Sequence, residues 1–393
     1  MVDFNYYAPT EVVFGKNAEE QVASLIKKHG GHKVLVHYGS QSAKRSGLLD
    51  KIAGLLETAG IDYVALGGVI PNPRLSKVRE GIELCRKEKV DFILAIGGGS
   101  VIDSSKAIAY GVCYDGEVWD FYTGKAQATA CLPVAAVLTI PAAGSEMSNS
   151  SVITNEDGDV KLGYRNDICR PKFAIMNPER TFTLPAYQTA AGVTDIIMHM
   201  MERYFTHDVD MNVTDNLTES LIRTMMSCAP TVLAPPEDSR SRAQIMWGGS
   251  LAHNGLLGCG HVEDWATHQL EHELSGMFDV THGAGLAALW PSWARYVMRE
   301  DVTRFARFAV NVMGVENDFY HPEATALKGI TAMEDFFHAI GMPVTIHELI
   351  GREATHEEIK EMTRKCTRNF TTSPGHFKVL TAEDIEKIYQ MAQ

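Results

Sequence analysis

Three features of the 393-residue chain predict an α/β domain followed by an all-helical one. Up to about Leu184-Pro185, β-rich runs at 33–38, 62–66 and 134–139 alternate with helical segments such as 77–88, which implies a parallel sheet covered by helices. Beyond Pro185 the strands vanish, and 216–233, 303–313 and 324–340 carry apolar residues at helical spacing. The third feature is the apolar run 90–96, which ends at Gly97-Gly98-Gly99-Ser100 and leads into a helical composition. The expected domains are 1–185, the α/β one, and 186–393, the all-helical one.

Each element has a reason. A buried parallel strand, a glycine turn and a helix N-terminus make a phosphate cradle, because glycines let backbone N–H groups approach a pyrophosphate without a Cβ in the way. Ser100 is expected as the N-cap of that helix. The pattern is not G-x-G-x-x-G, so alone it indicates a phosphate site and no more. In the second half, Pro235-Pro236-Glu237-Asp238 reads as a loop, and Thr381 with Asp384 reads as the capping box of a final helix.

The helical half also carries the chemistry. Asp195 and His199 are four apart, which places both on one helix face, and His268 and His272 repeat that spacing. His282 precedes Gly283, expected to allow an unusual turn. A carboxylate with two or three imidazoles suits zinc or ferrous iron with a position left open for substrate. Two readings compete. By spacing alone His268 and His272 would be co-ligands, and His268-Gln269-Leu270-Glu271-His272 also fits the H-x-x-E-H of inverted zinc proteases, in which the glutamate activates water. A peptidase, however, needs no phosphate cradle.

Together, the stretch from Gly97 to Asp103 (GGGSVID), that from Thr139 to Glu146 (TIPAAGSE), the Asp195/His199 helix, and His268, His272 and His282-Gly283 resemble the iron-containing (group III) alcohol dehydrogenases. Within them the butanol dehydrogenase and broad aldehyde reductase branch is most similar, as the opening FNYYAPT, the PNPR at 71–74 and the DWATH at 264–268 also indicate. The match runs in order along the whole chain.

The resemblance implies a dehydroquinate-synthase-like fold and hydride transfer between a nicotinamide and a small primary alcohol or aldehyde such as butanol or butanal. It implies Asp195, His199, His268 and His282 as ligands of Fe2+ or Zn2+, with His272 near nicotinamide and substrate as the proton-transfer group. Glu271 is then expected as an ordinary helix-surface residue, and Asp264 and His261 as nearby polar residues. For the cofactor it implies Gly98, Gly99, Ser100 and Asp103 around the pyrophosphate and nicotinamide side, Thr139 near the adenine side, Asn72 on the facing loop, and Lys161 beside the cofactor. After the run 33–38 the chain reads Gly39-Ser40-Gln41-Ser42, with no acid to hold a ribose 2′-OH, so NADP(H) is favoured over NAD(H), its 2′-phosphate lying against Gly39 and Ser40. Ala143 stands where the family often has Thr, which removes a hydroxyl near the cofactor. The family further implies a homodimer.

Composition limits the alternatives. A net charge of -13 with no basic cluster argues against nucleic acid. With no run of about 18 apolar residues and no basic-then-apolar N-terminus, neither a membrane span nor a signal peptide is indicated, and cytoplasm is the default. The seven cysteines, an odd number without C-x-x-C, read as reduced thiols. One non-redox alternative stays on the same fold, a sugar-phosphate cyclising lyase using NAD and zinc. It predicts a pocket rich in Lys and Arg, whereas Trp247, Leu251, Trp265 and Met277 near the histidines favour an apolar substrate.

Overall fold

The computed structural model describes residues 2–39, 42–234 and 238–393, which form two compact units. Residues 7–184 make one, built on a six-stranded parallel sheet. Its strands are β1 (Glu11–Phe14), β2 (Lys33–Gly39), β3 (Asp62–Val69), β4 (Phe92–Gly97) and β5 (Val134–Leu138), with β8 (Phe173–Met176). They lie in the order β1-β8-β5-β4-β2-β3. Both faces are covered, which is why β4 and β5 read as uninterrupted apolar runs rather than alternating ones. On one face Val34 and Val36 meet Ile26, Ile52 and Leu56 of the helices Val22–Lys28 and Leu48–Thr58. On the other, Leu35 and Ile93 meet Val78, Ile82 and Ile108 of Leu75–Glu88 and Gly99–Val112.

An antiparallel hairpin, β6 (Ser150–Asn155) with β7 (Val160–Arg165), and the short strands β1 and β8 were not anticipated. The hairpin turns through Gly158 and Asp159 at φ 86° and 50°, and it is tied to the Gly99–Val112 helix by the Val152 amide, which donates to Asp103 at 2.9 Å.

The second unit is residues 185–393 joined by residues 2–6. The expected division put that opening segment with the sheet; instead the Val2 amide donates to the Gly260 carbonyl at 3.1 Å, pairing this stretch of chain with the helices. No strand occurs among the described residues beyond 184. At the centre lies the helix Ala186–Tyr204, buried at every residue from Thr189 onward, with the polar Thr194, Asp195, His199, Glu202 and Arg203 among them. Asn212–Leu233, Ser239–His253 and His282–Val297 pack around it, and Phe205, Trp290, Trp293, Phe305 and Phe308 fill the core beside it. Thr381 and Asp384 form the expected capping box of the last helix. Asp238 caps the Ser239–His253 helix, while Pro235, Pro236 and Glu237 lie outside the described residues. All seven thiols are free, and no helix among the described residues is long and apolar enough to cross a membrane.

Candidate metal centre and nucleotide turn

Three helices of the second unit supply the candidate ligands: Ala186–Tyr204 carries Asp195 and His199, Ala266–Phe278 carries His268 and His272, and His282 opens His282–Val297. Gly283 is helical rather than a turn residue. A Cβ there would lie 2.0 Å from the Ala191 carbonyl oxygen, so only glycine lets the two helices approach closely enough to aim His282 at Asp195. The Nε2 atoms of His199, His268 and His282 lie 3.4, 3.8 and 3.8 Å from Asp195 Oδ1. Two donors each about 2.1 Å from one tetrahedral ion are separated by roughly 3.4 Å, so these spacings suit a shared cation. Asp195 Oδ1 and His268 Nε2 are buried with no hydrogen-bond partner, an arrangement that is costly unless an ion takes both lone pairs.

Behind the donors, the imidazoles are held by their other nitrogen. His268 Nδ1 lies 2.8 Å from Glu202 Oε1, which also accepts from the His268 amide at 2.9 Å. His282 Nδ1 donates to Glu271. His199 Nδ1 lies 3.0 Å from His253 Nδ1. Burial lowers the proton affinity of His268, but Asp195 and Glu202 outweigh it and push the pKa up to about 9. His199 goes the other way, held well below the ordinary range by burial and then by the neighbouring histidines.

Glu271 corrects an expectation. It is fully buried, not on the helix surface, and its two oxygens accept from Ser275 Oγ and His282 Nδ1. So placed it cannot present a base to water. His272 is half-buried, its ring 5.9 Å from that of His282, and its nitrogen groups with Glu271 and His282 rather than with Asp195. Neither position matches the H-x-x-E-H reading, which needs His268 and His272 on one ion and a glutamate facing water.

Trp265 adopts φ 64° and packs its ring 5.5 and 5.1 Å from those of His199 and His268, behind the ligands. Trp247 is exposed and Met277 packs on the core. Asp264 accepts from the amides of Ala266, His376 and Phe377, and its pKa is pushed up to about 7 by burial and then by Glu202. His261 faces Asp215 at 3.5 Å, within the Arg304 ion pair.

In the α/β unit, Gly98 is the N-cap of Gly99–Val112, with no side-chain cap bond; Ser100 is the second helical residue and not the cap. The glycines differ in purpose. A Cβ on Gly97 or Gly98 would strike Val101 at 2.5 Å or Ile140 at 3.0 Å, whereas one on Gly99 would meet only Ala143, at 3.7 Å. Packing therefore demands the first two and leaves the face above Gly99 open at the N-terminus of the helix. Asp103 turns its carboxylate inward, accepting from Ser145 Oγ and the Val152 amide. Nearby is a residue that sequence reasoning missed. Lys106 is fully buried and donates to the carbonyls of Ser145, Ser148 and Ser150 at 2.7, 3.0 and 2.7 Å, pinning the loop after β5; the seryl-rich stretch 145–151 was its only signal. Burial lowers its pKa. Of the remaining expected contacts, the Thr139 amide donates to Gly97 O at 3.0 Å, Asn72 is buried at φ 54°, and Lys161 is buried in β7 opposite Thr154. Gly39 closes β2, and Ser40 lies outside the described residues.

Two family models cover nearly all of the chain: iron-containing alcohol dehydrogenase over residues 9–178, and the C-terminal domain of the Fe-containing alcohol dehydrogenase family over 189–393. The chain belongs to the iron-containing alcohol dehydrogenases. This family member is 40% identical to an NADH-dependent butanol dehydrogenase A of Clostridium acetobutylicum, with 99% of each chain covered. It is 33% identical, over 100% of each chain, to the NADPH-dependent aldehyde reductase YqhD of Escherichia coli. Among solved structures, an NADH-dependent butanol dehydrogenase A from Thermotoga maritima superposes with a TM-score of 0.95 at 37% identity, covering 99% of this chain and 98% of that one. The fold of this alcohol dehydrogenase is accordingly the dehydroquinate-synthase-like one.

Proposed function

We propose that the enzyme interconverts small primary alcohols and aldehydes of the butanol and butanal class, with a metal held by Asp195, His199, His268 and His282. The observation that carries this is the convergence of three imidazole Nε2 atoms on Asp195, with Asp195 Oδ1 and His268 Nε2 otherwise unsatisfied. A ferrous or zinc ion bound there supplies Lewis-acid polarisation of a carbonyl and lowers the pKa of an alcohol in the reverse direction. A nicotinamide supplies or accepts the hydride. The protein's residues do the rest. Gly98, Gly99 and Ser100 offer first-turn amides to the pyrophosphate, with Asn72, Thr139 and Lys161 as further contacts. Asp103, through Ser145 and Val152, and Lys106 shape the loop beside that turn. His272, half-buried and outside the Asp195 cluster, is our candidate for carrying a proton between the substrate oxygen and solvent.

NADP(H) is our preferred cofactor, on the absence of a carboxylate at Gly39. The names of the relatives at 38–40% identity, all NADH-dependent, favour the opposite order. The lyase alternative lacks support near the ligands, where Arg203 is occupied by His199 O, His253 and Glu263. A cytoplasmic homodimer completes the proposal.

The test is oxidation of NADPH and NADH by purified protein across aldehydes from ethanal to hexanal, with metal analysis of the same preparation. The proposal expects turnover that a chelator abolishes and Fe2+ or Zn2+ restores. Absence of aldehyde reduction by the metal-replete protein with either cofactor would refute it.

A further inference from the structure

Two of the three imidazoles facing Asp195 are backed by carboxylates, and the third is not. His199 Nδ1 meets His253 Nδ1 at 3.0 Å, with the two rings edge-to-face at a centroid separation of 4.2 Å. His253 is buried, and the same Nδ1 lies 3.1 Å from Arg203 Nη2. The guanidinium is itself fixed: Nη1 donates to the His199 carbonyl at 2.6 Å, Nε pairs with Glu263 at 3.0 Å, and Cζ sits 4.7 Å from the Trp265 ring centroid. A guanidinium can only donate, so His253 Nδ1 is an acceptor and its ring proton resides on Nε2. His199 must then donate through Nδ1–H, which leaves the Nε2 lone pair directed at Asp195, 3.4 Å away. Arg203 thus fixes the tautomer of His253, and His253 fixes that of His199. The partner that accepts from His199 Nδ1 is an imidazole and not a carboxylate. A neutral imidazole sharing its lone pair with a guanidinium draws less on the Nδ1 proton than Glu202 or Glu271 does, so His199 is the least electron-rich of the three donors.

We propose that His253 is a positioning residue for the metal centre, holding His199 in its ligating tautomer through Nδ1 and making it the weakest donor of the set. The inference rests on the metal site proposed above.

The experiment compares metal-loaded wild type with His253→Leu, which removes the acceptor at similar volume, and His253→Asn, whose amide oxygen can occupy the Nδ1 position. His199→Ala is the control. The readouts are zinc affinity by competition with a chromophoric chelator and the absorption spectrum of the cobalt(II)-substituted protein. We expect the Leu variant to lose about 10–100-fold in affinity with a shifted cobalt spectrum, and the Asn variant to stay close to wild type in both. Unchanged affinity in the Leu variant overturns the proposal, as does equal loss in both variants, which would make the contribution one of ring packing. If wild type and His199→Ala bind zinc alike, the metal-site reading itself falls, and this inference with it.

Discussion

Aim, more than identity, distinguishes the histidines of this protein. His268 and His282 present Nε2 to Asp195 because Glu202 and Glu271 hold their Nδ1 protons. Removing the charge at one of these carboxylates while keeping its shape should therefore weaken the metal without dismantling the fold. Glu271→Gln is expected to lower metal affinity by about 10–100-fold, read by chelator competition, with the unfolding transition of the apo-protein little changed. Undiminished affinity would mean that Glu271 merely fills space. The ligand-type residues themselves were legible from the sequence, since i,i+4 spacing on a helix puts Asp195 and His199 on one face. Glu271 was not. Its neighbours on the helix mark it as polar, and only the close approach of the His282–Val297 helix, with Gly285 permitting contact at its carboxylate, buries it.

At the scale of elements, β2 supports two tests. Gly39 is its last residue, and a Cβ there would meet Val69 O at 3.6 Å and Val101 Cγ2 at 4.0 Å, so an aspartate fits the backbone. If the 2′-phosphate lies against this turn, Gly39→Asp sets like charges in contact at a cost on the order of 1 kcal/mol. The ratio of kcat/KM for NADPH over NADH should fall severalfold at fixed salt; an unchanged ratio would remove the adenosine ribose from this turn.

The second test concerns His37, fully buried in the same strand, donating through Nδ1 to Leu66 O and accepting at Nε2 from Ser104, both at 2.9 Å. Burial pushes its pKa down to about 4, only partly opposed by the Leu66 carbonyl. Between that value and the ordinary one near 6.5 the unfolded chain binds a proton that the folded chain does not, so stability falls as pH drops through this window, by on the order of 3 kcal/mol at its acid end. His37→Gln should flatten the dependence of denaturation midpoint on pH between about 6.5 and 4. An identical slope in the variant would assign acid sensitivity elsewhere.

The buried strands of this sheet were readable as apolar runs, β4 above all. The β6–β7 hairpin was not, because its pairing depends on Asp103 and on a turn through the non-glycine Asp159, and Ser100 was misread as a cap because the helix begins two residues earlier than that cap implies.

Across the whole molecule, the change from alternating strands to helices near residue 185 was visible in the sequence, because sheet and helix periods differ. The assignment of residues 2–6 was not, because it depends on tertiary contacts such as the hydrogen bond from the Val2 amide to the Gly260 carbonyl. The central claim is that the metal is held by one carboxylate and three imidazoles, with His272 outside that set. It is tested most directly by measuring metal content and turnover of His268→Ala and His272→Ala side by side. The account predicts that His268→Ala loses both metal and activity while remaining folded, and that His272→Ala retains stoichiometric metal with a reduced rate and an altered pH profile. Full metal and near-normal turnover in His268→Ala, or loss of metal in His272→Ala, would contradict it.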